Sequence, residues 1–202
     1  MARNKEQNEK MREERLAQIK TAALKIFSDK GYFAAKIKDI ANEVNMAQGL
    51  VYHYYKSKDE IYYDVIENAF NKMNEAVSKL KAMDLPSHEK IKAALIELVK
   101  TINTSDSFNQ TVRIITSASN SVAIPENVKE LLAEKRDMPY QIISEIIAAG
   151  QKEGTIVDGN PYELSVLFWT FINGLSIYKS TREEIISLPS PEILFQTFLK
   201  VK

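Results

Sequence analysis

The sequence predicts an all-α protein, and three observations lead to this prediction. Apolar residues recur at helical spacing along most of the 202-residue chain. No segment sustains the alternation of apolar and polar residues that is typical of a half-buried strand. Glycine and proline number only six each, and most of them stand where the apolar stripes begin or end. The pattern predicts about nine helices, of which the first three belong to a small N-terminal domain.

This first domain is expected to comprise residues 1–56. After a charged arm, an apolar stripe over residues 16–27 predicts one helix, and Gly31 ends it. A short stripe over residues 37–44 and a third segment over residues 47–54 follow. Three short helices ahead of longer ones indicate a helix-turn-helix domain on a larger helical body, residues 57–202.

The longer helices begin and end at recognisable capping signals. Ser57 and Glu60 form a capping box for a helix that reaches about Met83. Ser87 is the predicted cap of the next helix, which runs through Ile102. After a break at residues 104–106, a helix with many Thr, Ser and Asn residues is expected from Phe108.

The last helices are predicted from proline and glycine. Pro125 opens a long helix that reaches about Lys152, kinks at Pro139 and is closed by Gly154. Asn160 caps a helix that continues to about Lys179. Two short pieces are expected at residues 181–184 and 190–200.

Composition excludes several classes of protein. The chain has no cysteine and only two histidines, so thiolate chemistry is excluded and no metal site or cofactor is expected. No Gly-rich phosphate loop and no nucleophile or zinc motif is present, so we expect no enzyme. The chain also lacks a signal peptide and an apolar stretch long enough to span a membrane, which favours a cytoplasmic protein.

A set of residues in the first domain carries a family resemblance. These residues are Phe27, Gly31-Tyr32, Ile40-Ala41, Tyr52-His53-Tyr54 and Lys58-Asp59-Glu60. At these spacings, residues 15–62 resemble the tetracycline-repressor (TetR) family of bacterial transcriptional regulators. The resemblance implies that the protein binds double-stranded operator DNA as a homodimer and responds to a small-molecule effector.

The third helix is the predicted recognition helix. A helix in the major groove presents small or polar residues to base edges from its N-terminal part. Here these are Ala47, Gln48, Gly49, Tyr52 and His53. Lys36, Tyr54 and Lys58 are placed for phosphate contacts. In the family, the position of Lys38 often reads a base or a nearby phosphate.

Three positions depart from the family pattern. Ala35 stands where a Thr or Ser usually caps the second helix, and Asn45 stands where the turn usually has Gly. Asn tolerates the left-handed backbone that this turn requires. Leu50 replaces a small hydroxylic residue and cannot hydrogen-bond a phosphate.

The resemblance gives the body two roles. A pocket among its helices would hold an apolar or amphipathic effector, lined by Phe70, Met73, Leu98, Ile102, Phe108, Val112, Ile115, Thr116, Phe168, Trp169 and Asn173. A four-helix bundle would join two subunits through Ile142, Ile146, Ala149, Phe171, Gly174, Leu175 and Tyr178. Each of these residues is also explained as ordinary packed core.

Two alternatives remain open at this point. A DNA-binding architectural or protein-partner module of the same fold would need no ligand. Activation instead of repression depends on where the operator lies, which the sequence does not contain.

Overall fold

The computed structural model describes residues 2–181 and 187–200, which form ten helices. The helices are α1 (Ala2–Ala34), α2 (Ile37–Glu43), α3 (Gln48–Tyr54), α4 (Lys58–Ala82), α5 (Ser87–Thr104), α6 (Asp106–Ser119), α7 (Glu126–Lys135), α8 (Met138–Lys152), α9 (Pro161–Ser180) and α10 (Pro191–Gln196). The all-α prediction is confirmed. None of the described helices is long and apolar enough to cross a bilayer.

Helix α1 begins much earlier than its apolar stripe. It extends to Ala2 because Lys, Glu, Arg and Gln are strong helix formers even without an apolar face. Gly31 interrupts the regular helix with a φ of 74°, near where the stripe was predicted to end. This left-handed backbone costs glycine little, because it has no Cβ.

The turn between α2 and α3 confirms the prediction for Asn45, which has a φ of 52°. The missing hydroxyl cap at the start of α2 is compensated by Asp39. Its Oδ2 accepts a hydrogen bond from the backbone amide of Lys36 at 3.0 Å. That bond and an ion pair with Lys30 lower the pKa of the Asp39 carboxyl.

The predicted long helix with a kink at Pro139 is wrong, because two helices occupy this stretch. The ring of a proline clashes with the carbonyl group four residues before it, which here is Lys135. Helix α7 ends at Lys135, and α8 begins at Met138 with Pro139 in its first turn. Gly154 follows the end of α8 with a φ of 70°.

The predicted caps differ in outcome. Asn160 accepts hydrogen bonds from the amides of Tyr162 and Glu163 at 2.9 and 3.3 Å, as expected. The Ser57 hydroxyl accepts from the amide of Glu60 at 3.1 Å. Ser87 makes no side-chain cap and lies inside the first turn of α5, so that prediction is wrong.

The C-terminal helix is shorter than predicted, because α10 ends at Gln196 and the chain then turns into an extended contact. Leu199 forms an isolated antiparallel bridge with Ile156. The amide of Val157 donates to the carbonyl of Phe198 at 2.9 Å. Of the piece predicted at residues 181–184, residues 182–184 lie outside the described residues.

The chain divides into two compact units. The head unit comprises Met1–Ala69 and Arg113–Leu131, and the body unit comprises Phe70–Val112 and Leu132–Lys202. The head core includes the fully buried residues Ile19, Ile40, Val51, Ile61 and Ile66. The body core includes Ile91, Leu95, Ile102, Ile143, Ile147, Phe168 and Phe198. Helices α4, α6 and α7 contribute residues to both units.

Candidate nucleic-acid interface

Helix α3 has a buried side and an exposed side. Val51 and Tyr55 are 0% and 4% exposed and anchor the helix to the head core, together with Met46 just before it. These three residues face inward. Gln48, Gly49, Tyr52 and His53 are all exposed, so a small and polar face remains accessible.

The other predicted DNA contacts vary in accessibility. Lys36, Lys38 and Ala47 are exposed, and Tyr54 is half-buried. The ring of Tyr54 packs edge-on against His53, with the ring centroids 5.6 Å apart. Lys36 and Lys38 therefore present their ammonium groups on the surface of the head unit.

Lys58 has a different environment from the one predicted. Its Nζ donates to the carbonyl oxygens of Tyr32 at 2.9 Å, Ala35 at 3.2 Å and Phe33 at 3.4 Å. The ammonium also lies 4.4 Å from the centre of the Tyr32 ring. An ammonium has three donors. Lys58 therefore uses its donors to cap the C-terminal end of α1 instead of projecting freely towards a phosphate.

The first turns of α4 also hold α1 and α3 through two tyrosines. The hydroxyl of Tyr32 donates to Asp59, and that of Tyr55 donates to Asp64. Asp64 further pairs with Lys20 of α1 at 3.2 Å. Burial and these carboxylates raise the pKa of both phenols, so both remain neutral donors. Helix α3 is therefore fixed relative to the start of α4.

Sequence reasoning missed Arg113, which attaches α6 to α1 within the head unit. Its Nε donates to the Ser28 hydroxyl, and its Nη2 pairs with Asp29, both at 3.0 Å. The two partners lie 85 and 84 positions away in the sequence. No local signal could have indicated this contact.

The predicted pocket residues fall into separate groups. Ile115 and Thr116 belong to the head unit, whereas the others belong to the body unit. Six lie in or against the body core: Ile102, Phe168, Trp169, Met73, Leu98 and Phe108. Phe70 and Val112 are buried, and Asn173 is half-buried. Packing in the core explains these apolar positions without a ligand.

Buried polar groups in the body unit are more informative. Asn109, which sequence reasoning missed, donates to the Ile102 carbonyl at 2.9 Å and accepts from the Ser176 hydroxyl at 2.7 Å. In contrast, the Nε1 atom of Trp169 and the Oδ1 atom of Asn74 are buried without a hydrogen-bond partner among the described residues. Leaving such a group unpaired costs about 1–3 kcal/mol.

Some of the predicted dimer residues are buried in the body core, and others lie on the surface. Ile142 and Ile146 are 8% and 4% exposed and belong to the body core. Phe171 and Leu175 are half-buried against that core. Ala149, Gly174 and Tyr178 are exposed. An added Cβ at Gly174 would meet nothing within 4 Å, so the surface there is open.

A comparison with known proteins gives a family match for part of the head unit. Residues 19–65 match the family model described as bacterial regulatory proteins, tetR family. The regulator HbdR of Aromatoleum sp. is 36% identical over 70 residues, which cover 35% of this chain and 31% of HbdR. The biofilm operon negative regulator IcaR of Staphylococcus epidermidis is 41% identical over 49 residues, covering 24% and 26%. The chain thus matches only about a third or less of the length of these relatives.

A solved structure extends the likeness of the fold beyond the head. AibR, in complex with isovaleryl coenzyme A and operator DNA, superposes with a TM-score of 0.71 at 16% identity, over 90% of this chain and 94% of AibR. At that identity the likeness concerns the fold alone. The sequence match thus assigns residues 19–65 to the tetR family of bacterial regulatory proteins, and most of the chain shares its fold with AibR.

Proposed function

We propose that the protein is a repressor that binds a palindromic DNA operator as a dimer and is released by a small amphipathic molecule. The observation that carries the proposal is the division of α3. Val51 and Tyr55 bury one side, while Gln48, Gly49 and Tyr52 leave the other side exposed. A recognition helix requires this arrangement, because only side chains that project from the domain can reach base edges.

The exposed residues divide into two kinds of contact. Gln48 can pair with the N6 and N7 atoms of adenine, which specifies sequence. Lys36 and Lys38 supply the positive charge that phosphates attract. Lys58 supports the interface indirectly, because it holds the end of α1 that precedes α2. The proposal therefore assigns Lys58 a supporting role and not the phosphate contact that the sequence predicted.

Dimerisation is proposed to use the exposed apolar residues of α9. Val166, Leu167, Ile177 and Tyr178 are each 36–41% exposed. Ile142 and Ile146 would support this surface from the core instead of touching a partner. A two-fold dimer presents two copies of α3, so the operator would be palindromic with half-sites about one helical turn apart.

The effector is proposed to bind in the body unit, where Trp169 lies among apolar side chains. An effector with a hydrogen-bond acceptor could pair with the unpaired N–H of Trp169, and an apolar chain on the same molecule would suit the surrounding core. Such a molecule would act by stabilising a body conformation that displaces α4. Because the first turns of α4 hold α1 and α3, the two recognition helices would then no longer match the operator.

The DNA-binding proposal is tested with genomic fragments. Fragments retained by the protein at moderate salt are sequenced, and the enriched duplex is used in gel-shift assays. Tyr52→Ala, at a position 48% exposed on α3, should weaken binding at least tenfold. Ile96→Ala, at a position 41% exposed on α5, is the matched control and should bind like the unmodified protein. Recovery of no enriched sequence would contradict the proposal.

The dimer and the effector have tests of their own. Val166→Glu should dissociate the dimer in sedimentation experiments, whereas Ile96→Glu should leave it intact.

Because Trp169 is the only tryptophan, its fluorescence reports binding in the body core. Decanoate is a suitable first probe, and it should change the Trp169 emission and release the operator together. Release without any change in emission would place the effector elsewhere.

A further inference from the structure

The recognition helix carries an apolar side chain at an outward position. Leu50 is 42% exposed, whereas the next residue, Val51, is fully buried. Single exposed leucines are common on protein surfaces and need no explanation by themselves. Leu50 differs because it lies on the element that faces the major groove in the proposed function, on which this inference rests.

The positions around the helix axis show which residues accompany Leu50. At about 100° per residue, Gly49 and His53 share one side of α3 opposite Val51. Leu50 and Tyr52 flank that side and lie about 160° apart across it. An added Cβ at Gly49 would meet nothing within 4 Å, so the space next to Leu50 is open to an external partner. Leu50 and Tyr52 would therefore meet different base pairs.

The chemistry of leucine limits what it can read. Leu50 has no donor or acceptor, so it cannot bond a phosphate or the polar edge of a base. The major groove presents one apolar group, the C5 methyl of thymine. We propose that Leu50 contacts the C5 methyl of one thymine in each half-site and thereby determines part of the operator sequence.

The test replaces thymine by deoxyuracil in the operator recovered above, one position at a time. Deoxyuracil keeps the base pair and removes only the methyl group. Each half-site should contain one thymine at which a single replacement weakens binding about fourfold, as expected for the loss of one buried methyl group. Replacement at both symmetric positions should weaken binding roughly 15-fold.

The variants assign the effect to this residue. Leu50→Ala should bind the thymine operator more weakly and become insensitive to deoxyuracil at that position. Leu50→Met keeps an apolar side chain and should retain the sensitivity. Thermal melting of each variant shows that the head remains folded.

Two results would overturn the inference. One is binding that no deoxyuracil replacement weakens, and the other is an equal loss in the unmodified protein and in Leu50→Ala. Both results are obtained with an operator that the protein binds, so they would leave the proposed function standing. Failure to recover any operator would instead contradict the proposed function itself.

Discussion

The carboxylate of Glu153 accepts two hydrogen bonds from Ser87, one from its hydroxyl at 2.6 Å and one from its backbone amide at 3.0 Å. Glu153 follows the end of α8, and Ser87 is the first residue of α5. The contact therefore joins two helices of the body unit. It also supplies the start of α5 with the acceptor that its own sequence lacks.

This contact should make stability depend on acid pH. The hydrogen bond from the Ser87 hydroxyl lowers the pKa of Glu153 below its ordinary value. A carboxylate with a lowered pKa stabilises the folded state at pH values above its ordinary pKa of about 4.3. This stabilisation is lost as pH falls through the folded-state pKa. Glu153→Gln should lower the melting temperature at pH 7 by about 2–4 °C, which corresponds to about 1 kcal/mol.

The difference between Glu153→Gln and the unmodified protein should shrink as pH falls through the folded-state pKa of Glu153, because protonation makes both side chains neutral. Glu130→Gln, at an exposed position on α7, is the control and should have little effect across the same pH range. A difference that stays constant throughout the acid titration would show that the charge of Glu153 contributes nothing.

Gly150 should not accept a side chain. An added Cβ would lie 2.4 Å from Cδ1 and 2.6 Å from Cγ1 of Ile156. Ile156 is fully buried, so its side chain cannot move aside into solvent. Gly150→Ala should therefore lower the free energy of unfolding by about 1–3 kcal/mol, measured by denaturant titration.

A second substitution identifies Ile156 as the cause. In a protein that already carries Ile156→Ala, Gly150→Ala should cost much less than it does alone. An equal loss of unfolding free energy in the two backgrounds would mean that the side chain of Ile156 is not what excludes a Cβ at position 150.

Lys58 should contribute to the stability of the head and not to its phosphate contacts. Lys58→Met removes the hydrogen bonds to the carbonyls of Tyr32 and Ala35, so it should destabilise the protein by about 1–2 kcal/mol. The salt dependence of operator binding should stay unchanged. Lys36→Met should leave stability nearly unchanged. It should make the negative slope of log K against log salt shallower by about one per subunit. A reduced slope in Lys58→Met would return Lys58 to the phosphate contacts.

Gly49 should separate stability from DNA binding. It lies in α3 without a left-handed φ, and an added methyl group would meet nothing in the chain. Gly49→Ala should therefore stabilise the free protein by about 0.5–1 kcal/mol in thermal melting. In gel-shift assays the same variant should bind the operator at least tenfold more weakly, because the methyl group keeps the helix from the base edges. Unchanged operator binding would argue against close approach at this position.

Much of the fold could be predicted from signals that act over a few residues. The Asn160 cap reaches amides two and three positions ahead, and the left-handed turn at Asn45 depends on that residue alone. The inward positions of Met46, Val51 and Tyr55 follow from helical periodicity. The break before Pro139 was misjudged as a kink, although the clash with the carbonyl of Lys135 is itself local.

The sequence by itself determined the helical class, the short helices α2 and α3 and the exposed face of α3, because capping, periodicity and turn chemistry act between near neighbours. Only the tertiary structure decided which partners the charged side chains take. Lys58 finds carbonyls 23–26 residues away, and Glu153 finds Ser87 across 66 residues. Such contacts depend on how helices pack, and a hydrogen-bonding group in sequence looks the same whether it meets a phosphate, a carbonyl or water.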